Sequence, residues 1–153
     1  MAELKIGAVA PDFSLTGDDG KKHSLKEFLG KKVVLFFYPK DDTSGCTKEA
    51  CSFRDNLSSI KKKGAVVLGV SADGEASHKK FISKYDLNFP LLSDESKSVI
   101  ETYGVWKLKS FMGRKYMGIE RTTVIIDEKG KISHIFPKVK VEGHTEEVLN
   151  ALS

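Results

Sequence analysis

The apolar positions of the chain fall into a few runs with distinct periods. "KKVVLFFYP" (Lys31–Pro39) is an almost unbroken apolar run, rich in β-branched and aromatic residues. That is the pattern of a central strand buried on both faces, and Pro39, which has no backbone donor, ends it. "AVVLGVSAD" (Ala65–Asp73) reads as a second strand of the same kind. Between them a helix is predicted from near Thr43–Gly45 to about Lys62, with Thr43 or Ser44 as its N-cap and Gly64 closing it. Its basic end, "IKKKG" (Ile60–Gly64), suits the negative pole of a helix dipole. "SHKKFISKYD" (Ser77–Asp86) carries a helical period that turns Phe81, Ile82 and Tyr85 inward, and a short helix over Ser96–Tyr103 follows.

The flanking segments are β-rich. "DFSLTGDDGKKHSL" (Asp12–Leu25) reads as a hairpin turning at Gly17–Gly20. "TTVIID" (Thr122–Asp127) and "KISHIF" (Lys131–Phe136) read as a second hairpin about a turn at Asp127–Gly130, and "HTEEVLNAL" (His144–Leu152) as a closing helix. "VWKLKSFMGRKYMGIE" (Val105–Glu120) fits no period and reads as a long surface loop with some strand character, packing Trp106 and Phe111 on the body. The order predicts an α/β fold with a mixed central sheet flanked by helices. Parallel strands with right-handed crossovers come first, an antiparallel hairpin ends the sheet, and an extra β-hairpin stands at the N-terminal side.

Composition narrows the classes. A chain of 153 residues is expected to form a single domain over 1–153. Its net charge of +4 comes with no basic tract, so neither nucleic acid nor a membrane is an expected partner. No run approaches the roughly 18 apolar residues of a membrane span. The opening "MAELKIGAVAPDFSL" lacks a leader's apolar core, so the expected location is cytoplasmic. Both cysteines fall inside "YPKDDTSGCTKEAC" (Tyr38–Cys51). In a reducing compartment such a pair points to catalysis rather than to a structural crosslink.

The strand–loop–helix order places Cys46 in the first helical turn, where unpaired N–H groups and the positive dipole end favour a thiolate. Shifting a thiol–thiolate balance a hundredfold needs about 2.7 kcal/mol. The dipole supplies about 0.3–2 kcal/mol, and one hydrogen bond to a charged group about 1.5–3 kcal/mol. A helix end with one donor therefore suffices. Thr43, one turn back, has a hydroxyl expected to reach the sulfur, and Pro39 is expected to cover the site. A thioredoxin-type disulfide reductase would need C-x-x-C, and the spacing here is C-x4-C. His23, His78, His134 and His144 are scattered without zinc-like spacing and read as surface or turn residues, so no metal and no cofactor is expected.

Pro39, Thr43 and Cys46 form P-x-x-x-T-x-x-C, which resembles the active-site motif of the peroxiredoxins, thiol peroxidases of thioredoxin-like fold. "SGCTKEACSFRD" (Ser44–Asp55) is similar to the bacterioferritin comigratory protein, or peroxiredoxin Q, subfamily. "GAVAPDFSL" (Gly7–Leu15), "KKVVLFFYPKD" (Lys31–Asp41), "FPLLSD" (Phe89–Asp94) and "YMGIERTTVIID" (Tyr116–Asp127) extend the likeness over nearly the whole chain. The resemblance implies reduction of hydrogen peroxide and organic hydroperoxides, in antioxidant defence and redox homeostasis. It implies that Cys46 is the peroxidatic cysteine, Cys51 the resolving cysteine and Thr43 the residue orienting the peroxide. Arg121 would stand beside the sulfur, and Glu49 would steer that arginine. The backbone at Gly45 and Cys46 can stabilise the reacting oxygens. Ser44 stands where many relatives carry proline. Thioredoxin or glutaredoxin is the expected reductant, and the expected state is a monomer, with a weak dimer as the alternative.

Five residues on one helix separate two Cα atoms by roughly 8–9 Å, beyond the ~7 Å a disulfide tolerates. A Cys46–Cys51 bond therefore requires the helix start to unwind through at least Cys51.

Overall fold

The computed structural model describes residues 4–153, so the first three residues of the expected 1–153 domain lie outside it. The β-elements are β1 (Ser14–Gly17), β2 (Lys22–Ser24), β3 (Lys32–Phe37), β4 (Ala65–Ser71), β5 (Leu91–Ser93), β6 (Trp106–Phe111), β7 (Arg114–Ile119), β8 (Thr122–Ile126) and β9 (Ile132–Phe136). The α-helices are α1 (Ser44–Lys62), α2 (Glu75–Tyr85), α3 (Ser98–Thr102) and α4 (His144–Leu152). Seven strands form one sheet in the order β2-β1-β5-β4-β3-β8-β9. Strands β3, β4 and β5 are parallel, and β8 and β9 continue antiparallel beyond β3.

The apolar run of β3 is explained by its two neighbouring cores. Val33, Leu35 and Phe37 face one core, with Ile100, Tyr103 and Val124. Val34, Phe36 and Tyr38 face the other, with Ala50, Phe53, Ile60, Phe81 and Val148 from α1, α2 and α4. A strand covered on both sides has no polar face to alternate with. On β4, Gly69 is dictated by close packing: a Cβ there would lie 2.7 Å from Leu91 and 2.8 Å from the Phe36 ring. Helix α1 starts at Ser44 after Thr43 and stops before Gly64, whose φ of +76° is left-handed.

One expectation is corrected, and one strand goes beyond the pattern. Val105–Glu120 is a two-stranded antiparallel hairpin, β6–β7, separate from the main sheet. Its turn residues Met112 and Gly113 both have positive φ, as a tight two-residue hairpin turn requires. Trp106 packs against the core, whereas Phe111 stands at the tip, 66% exposed. Leu91–Ser93 is a strand between β1 and β4, and it ties the N-terminal hairpin into the main sheet. Smaller shifts occur at helix ends: α2 begins at Glu75, and α3 spans only Ser98–Thr102.

Candidate active site

Antiparallel pairing sets Phe37, the last residue of β3, opposite Thr122, the first of β8. The loop after β3 leads into α1, and Arg121 immediately precedes β8, so residues 75 positions apart meet at one end of the sheet. Cys46 is buried in the first turn of α1, with the Arg121 guanidinium Nη2 3.3 Å from its Sγ. Arg121 Nη1 donates to Glu49 Oε1 at 2.8 Å, one helical turn further on. The Arg121 carbonyl accepts from Val139 N at 2.9 Å, which holds the strand start in place. Gly45 lies directly under the guanidinium: a Cβ there would come within 3.1 Å of Nη2. A side chain at 45 would crowd the guanidinium in this position.

Arg121 therefore faces two groups that can be anionic. Burial opposes its charge, but Glu49 and Cys46 beside it hold its pKa above the ordinary arginine value. Glu49 is 2% exposed, and its Oε2 has no hydrogen-bond partner among the described residues. Burial pushes the Glu49 carboxyl up from 4.5 to about 7, against the opposing pull of Arg121. A raised folded-state pKa means the fold holds the proton after the unfolded chain has released it. Glu49 therefore makes stability fall as pH rises from about 4.5 to about 7. Glu49→Gln is expected to remove this slope while keeping an oxygen acceptor for Arg121. Urea denaturation of both proteins at pH 5 and pH 7.5 checks it: wild type should lose stability between the two values more steeply than the variant.

Thr43 lies at the N-cap, but its hydroxyl donates backward to the Lys40 carbonyl oxygen at 2.9 Å and not to the sulfur as expected. The cause is local: the extended Thr43 backbone (φ −97°, ψ 157°) presents the hydroxyl to the loop's own carbonyl. Pro39 is half-buried just beyond β3, after Tyr38, whose N–H still bonds the Val70 carbonyl at 3.1 Å. Cys46 and Cys51 are both free thiols on α1, Cys51 half-buried. Beyond Cys51 the helix is locked. Ser52 and Thr145 share a hydroxyl hydrogen bond to α4, and Phe53 is fully buried, stacked on Phe36 with centroids 4.8 Å apart.

A buried cluster behind the loop escapes the pattern reading. His78 is fully buried, not a surface residue as expected. Its Nε2 donates to the Leu92 carbonyl at 3.0 Å, and its Nδ1 lies 2.7 Å from Asp41 Oδ2. Both ring nitrogens thus face oxygens. Asp41 also accepts from Tyr38 and Ser77, and its N–H donates to Asp73. Asp42, at φ +56°, is held by Lys84 and Tyr85 of α2. Helix α2 thus clamps the loop that carries Thr43. His78 occupies the apolar stripe 78/81/82/85, a helical spacing that could have exposed it as inward-facing. His144 is likewise buried, against Thr123 and beside Phe53, which corrects the same surface expectation.

The AhpC/TSA family profile matches residues 6–135. The chain belongs to the AhpC/TSA family, among its peroxiredoxins. It is 54% identical over 149 residues to a putative peroxiredoxin bcp of Coxiella burnetii, covering 97% of this chain and 99% of that one. It is 48% identical over 152 residues to peroxiredoxin Bcp of Escherichia coli, covering 99% and 97%. Among solved structures, a Xylella fastidiosa PrxQ superposes with a TM-score of 0.93 at 34% identity, covering 99% of this chain and 97% of that one. A Xanthomonas campestris peroxiredoxin Q does so at 0.87 and 38%, covering 92% and 89%. The fold is thioredoxin-like and the chain is a thiol-dependent peroxidase, an oxidoreductase that consumes peroxide and is recycled by thiols. No helix of the described residues is long and apolar enough to cross a membrane.

Proposed function

We propose that Cys46 is the peroxidatic cysteine for hydrogen peroxide and organic hydroperoxides, working as a single domain in the cytoplasm. The observation that carries this is the 3.3 Å contact between Arg121 Nη2 and Cys46 Sγ, fixed from behind by Glu49. The guanidinium and the first-turn N–H groups set positive charge beside the sulfur that attacks. The thiolate attacks one peroxide oxygen in line with the O–O bond. That bond breaks, the sulfur keeps one oxygen, and the other leaves as alkoxide or hydroxide and takes a proton. Arg121 and the backbone N–H groups of Gly45 and Cys46 stabilise the charge on both oxygens. The Thr43 hydroxyl, its proton committed to Lys40, keeps lone pairs to accept the O–H of a hydroperoxide and so orients it.

Cys46 is then a sulfenic acid. The Cys51 thiol displaces its hydroxyl as water, and a disulfide forms. Thioredoxin or glutaredoxin returns both thiols and becomes a disulfide itself. This cycle serves antioxidant defence and redox homeostasis, and the protein acts as a monomer. Peroxide consumption coupled through thioredoxin and its reductase, with a glutaredoxin arm in parallel, tests the cycle. Turnover with at least one protein dithiol is expected, and turnover with neither would remove the reading.

Both cysteines lie on the regular α1 helix, so closing the disulfide unwinds it from Ser44 through Cys51. Phe53 and the Ser52–Thr145 contact set the limit of the unwinding. Amide exchange on the reduced and disulfide forms should show protection lost over 44–51 and retained from Phe53 onward. Equal protection over 44–51 in the two forms would exclude the unwinding.

A further inference from the structure

The β6–β7 hairpin is unlike the rest of the surface. Residues 106–119 carry Lys107, Lys109, Arg114 and Lys115 with no Asp or Glu, so the rest of the chain has no net charge. The same hairpin holds Leu108, Phe111, Met112, Tyr116 and Met117, exposed by 63, 66, 87, 48 and 48%. Its base is rooted: Trp106 packs on the core, Ile119 is buried, and Glu120 N donates to the Val105 carbonyl at 2.7 Å.

The pairing register sorts these residues. Lys107 opposes Gly118, Lys109 opposes Tyr116, and Phe111 opposes Arg114. Alternation along a strand puts all six on one face. On that face the Lys109 stem runs across Gly118, where a Cβ would lie 3.2 Å from it, beside the Tyr116 ring. Lys109 is half-buried. Burial and the Arg121 charge push its pKa down, while Cys46 and Glu120 oppose that shift. Strand β7 runs through Glu120 directly into Arg121, whose Nη2 lies 3.3 Å from Cys46 Sγ, so this cationic, aromatic face rises from the segment that delivers Arg121 to the thiol.

We propose that this face, bearing Lys107, Lys109, Phe111, Arg114 and Tyr116, is the docking surface for the protein dithiol that reduces the enzyme, and that this partner presents an acidic, partly apolar surface. The inference rests on the Cys46–Cys51 cycle proposed above. Exposed Arg, Tyr and Phe are residue types that anchor protein interfaces. Three of the hairpin's four uncompensated positive charges, Lys107, Lys109 and Arg114, lie on this face, which calls for a negative partner and steers its approach. A second copy docked through the same face about a two-fold axis would set these charges against themselves. A macromolecular reductant must reach this end of the sheet, where the disulfide forms.

Two double variants test it: Lys107→Glu with Arg114→Glu, and Phe111→Ser with Tyr116→Ser. Each is oxidised by one equivalent of hydrogen peroxide, and the disulfide is then reduced by dithiothreitol or by whichever of thioredoxin and glutaredoxin recycles wild type faster. Oxidation and dithiothreitol reduction should match wild type, while kcat/KM for the protein dithiol should fall about tenfold or more. Added salt should slow the protein-dithiol step of wild type and leave the charge variant nearly unchanged. Wild-type kcat/KM in both variants would overturn the docking surface, as would an equal loss with dithiothreitol. A wild-type dimer that the variants dissociate, or variant-sensitive binding to phosphatidylglycerol vesicles without a reduction defect, would assign the face to another occupant. If wild type forms no disulfide at all, it is the cycle that fails.

Discussion

Cys46→Ser is expected to remove peroxide turnover completely while leaving the fold in place. A serine hydroxyl is essentially un-ionised at neutral pH and is a far weaker nucleophile than a thiolate. The replacement is close in volume at a buried site in the core cluster that also holds Tyr38 and Ala50, so thermal unfolding should change little. Cys51→Ser separates the two thiols. It should still undergo one oxidation per chain at the wild-type rate, then stall as a sulfenic acid or over-oxidise. A Cys51→Ser protein that fails to react even once would reverse the assignment. Thiol titration against added peroxide, chain by chain, provides the readout for both variants.

The second large effect belongs to Arg121. Arg121→Ala removes the charged donor at Sγ and should slow the first oxidation about 10²–10³-fold, the usual loss when one preorganised donor to the reacting atoms is deleted. Lysine should recover only part of this, because one ammonium cannot reach both Glu49 and Cys46 as the planar fork does. Removing the arginine also leaves Glu49 buried without its cation, and the carboxyl, already pushed up to about 7, would then keep its proton at neutral pH. The double variant Arg121→Ala with Glu49→Gln controls for that change. It should be as slow as Arg121→Ala alone, which attributes the loss to the missing donor and not to a stranded carboxylate. Stopped-flow fluorescence of Trp106, the chain's one tryptophan, follows the step. A rate within twofold of wild type in Arg121→Ala would take this residue out of the chemistry.

What could be read in advance follows from burial. The run Lys31–Pro39 announces a strand between two cores, since only a strand covered on both faces is apolar at every position. Helix α1 is legible from its ends, Thr43 before it and Gly64 after it. The β6–β7 hairpin is hidden for the opposite reason: standing clear of the main sheet, it has no buried face to impose alternation. Its turn also puts a methionine at positive φ, which residue type does not advertise. Strand β5, with three residues, is too short for any period. At the candidate site, the helix-start position of Cys46 follows from strand–loop–helix order. The approach of Arg121 does not: it comes from β8 pairing with β3, and family likeness alone brought that residue forward. The Thr43 hydroxyl answers to the Lys40 carbonyl of its own loop, a conformation that residue type does not announce, while the buried Glu49 carboxyl and the His78–Asp41 contact depend on tertiary packing.

The intact mass of the reduced protein after one equivalent of hydrogen peroxide bears most directly on the Cys46–Cys51 cycle. Wild type should lose about 2 Da, with Cys46 and Cys51 recovered in one crosslinked peptide, and Cys51→Ser should gain about 16 Da localised to Cys46. An unchanged mass in both proteins, or added oxygen mapping to Met112 instead of Cys46, would contradict the account.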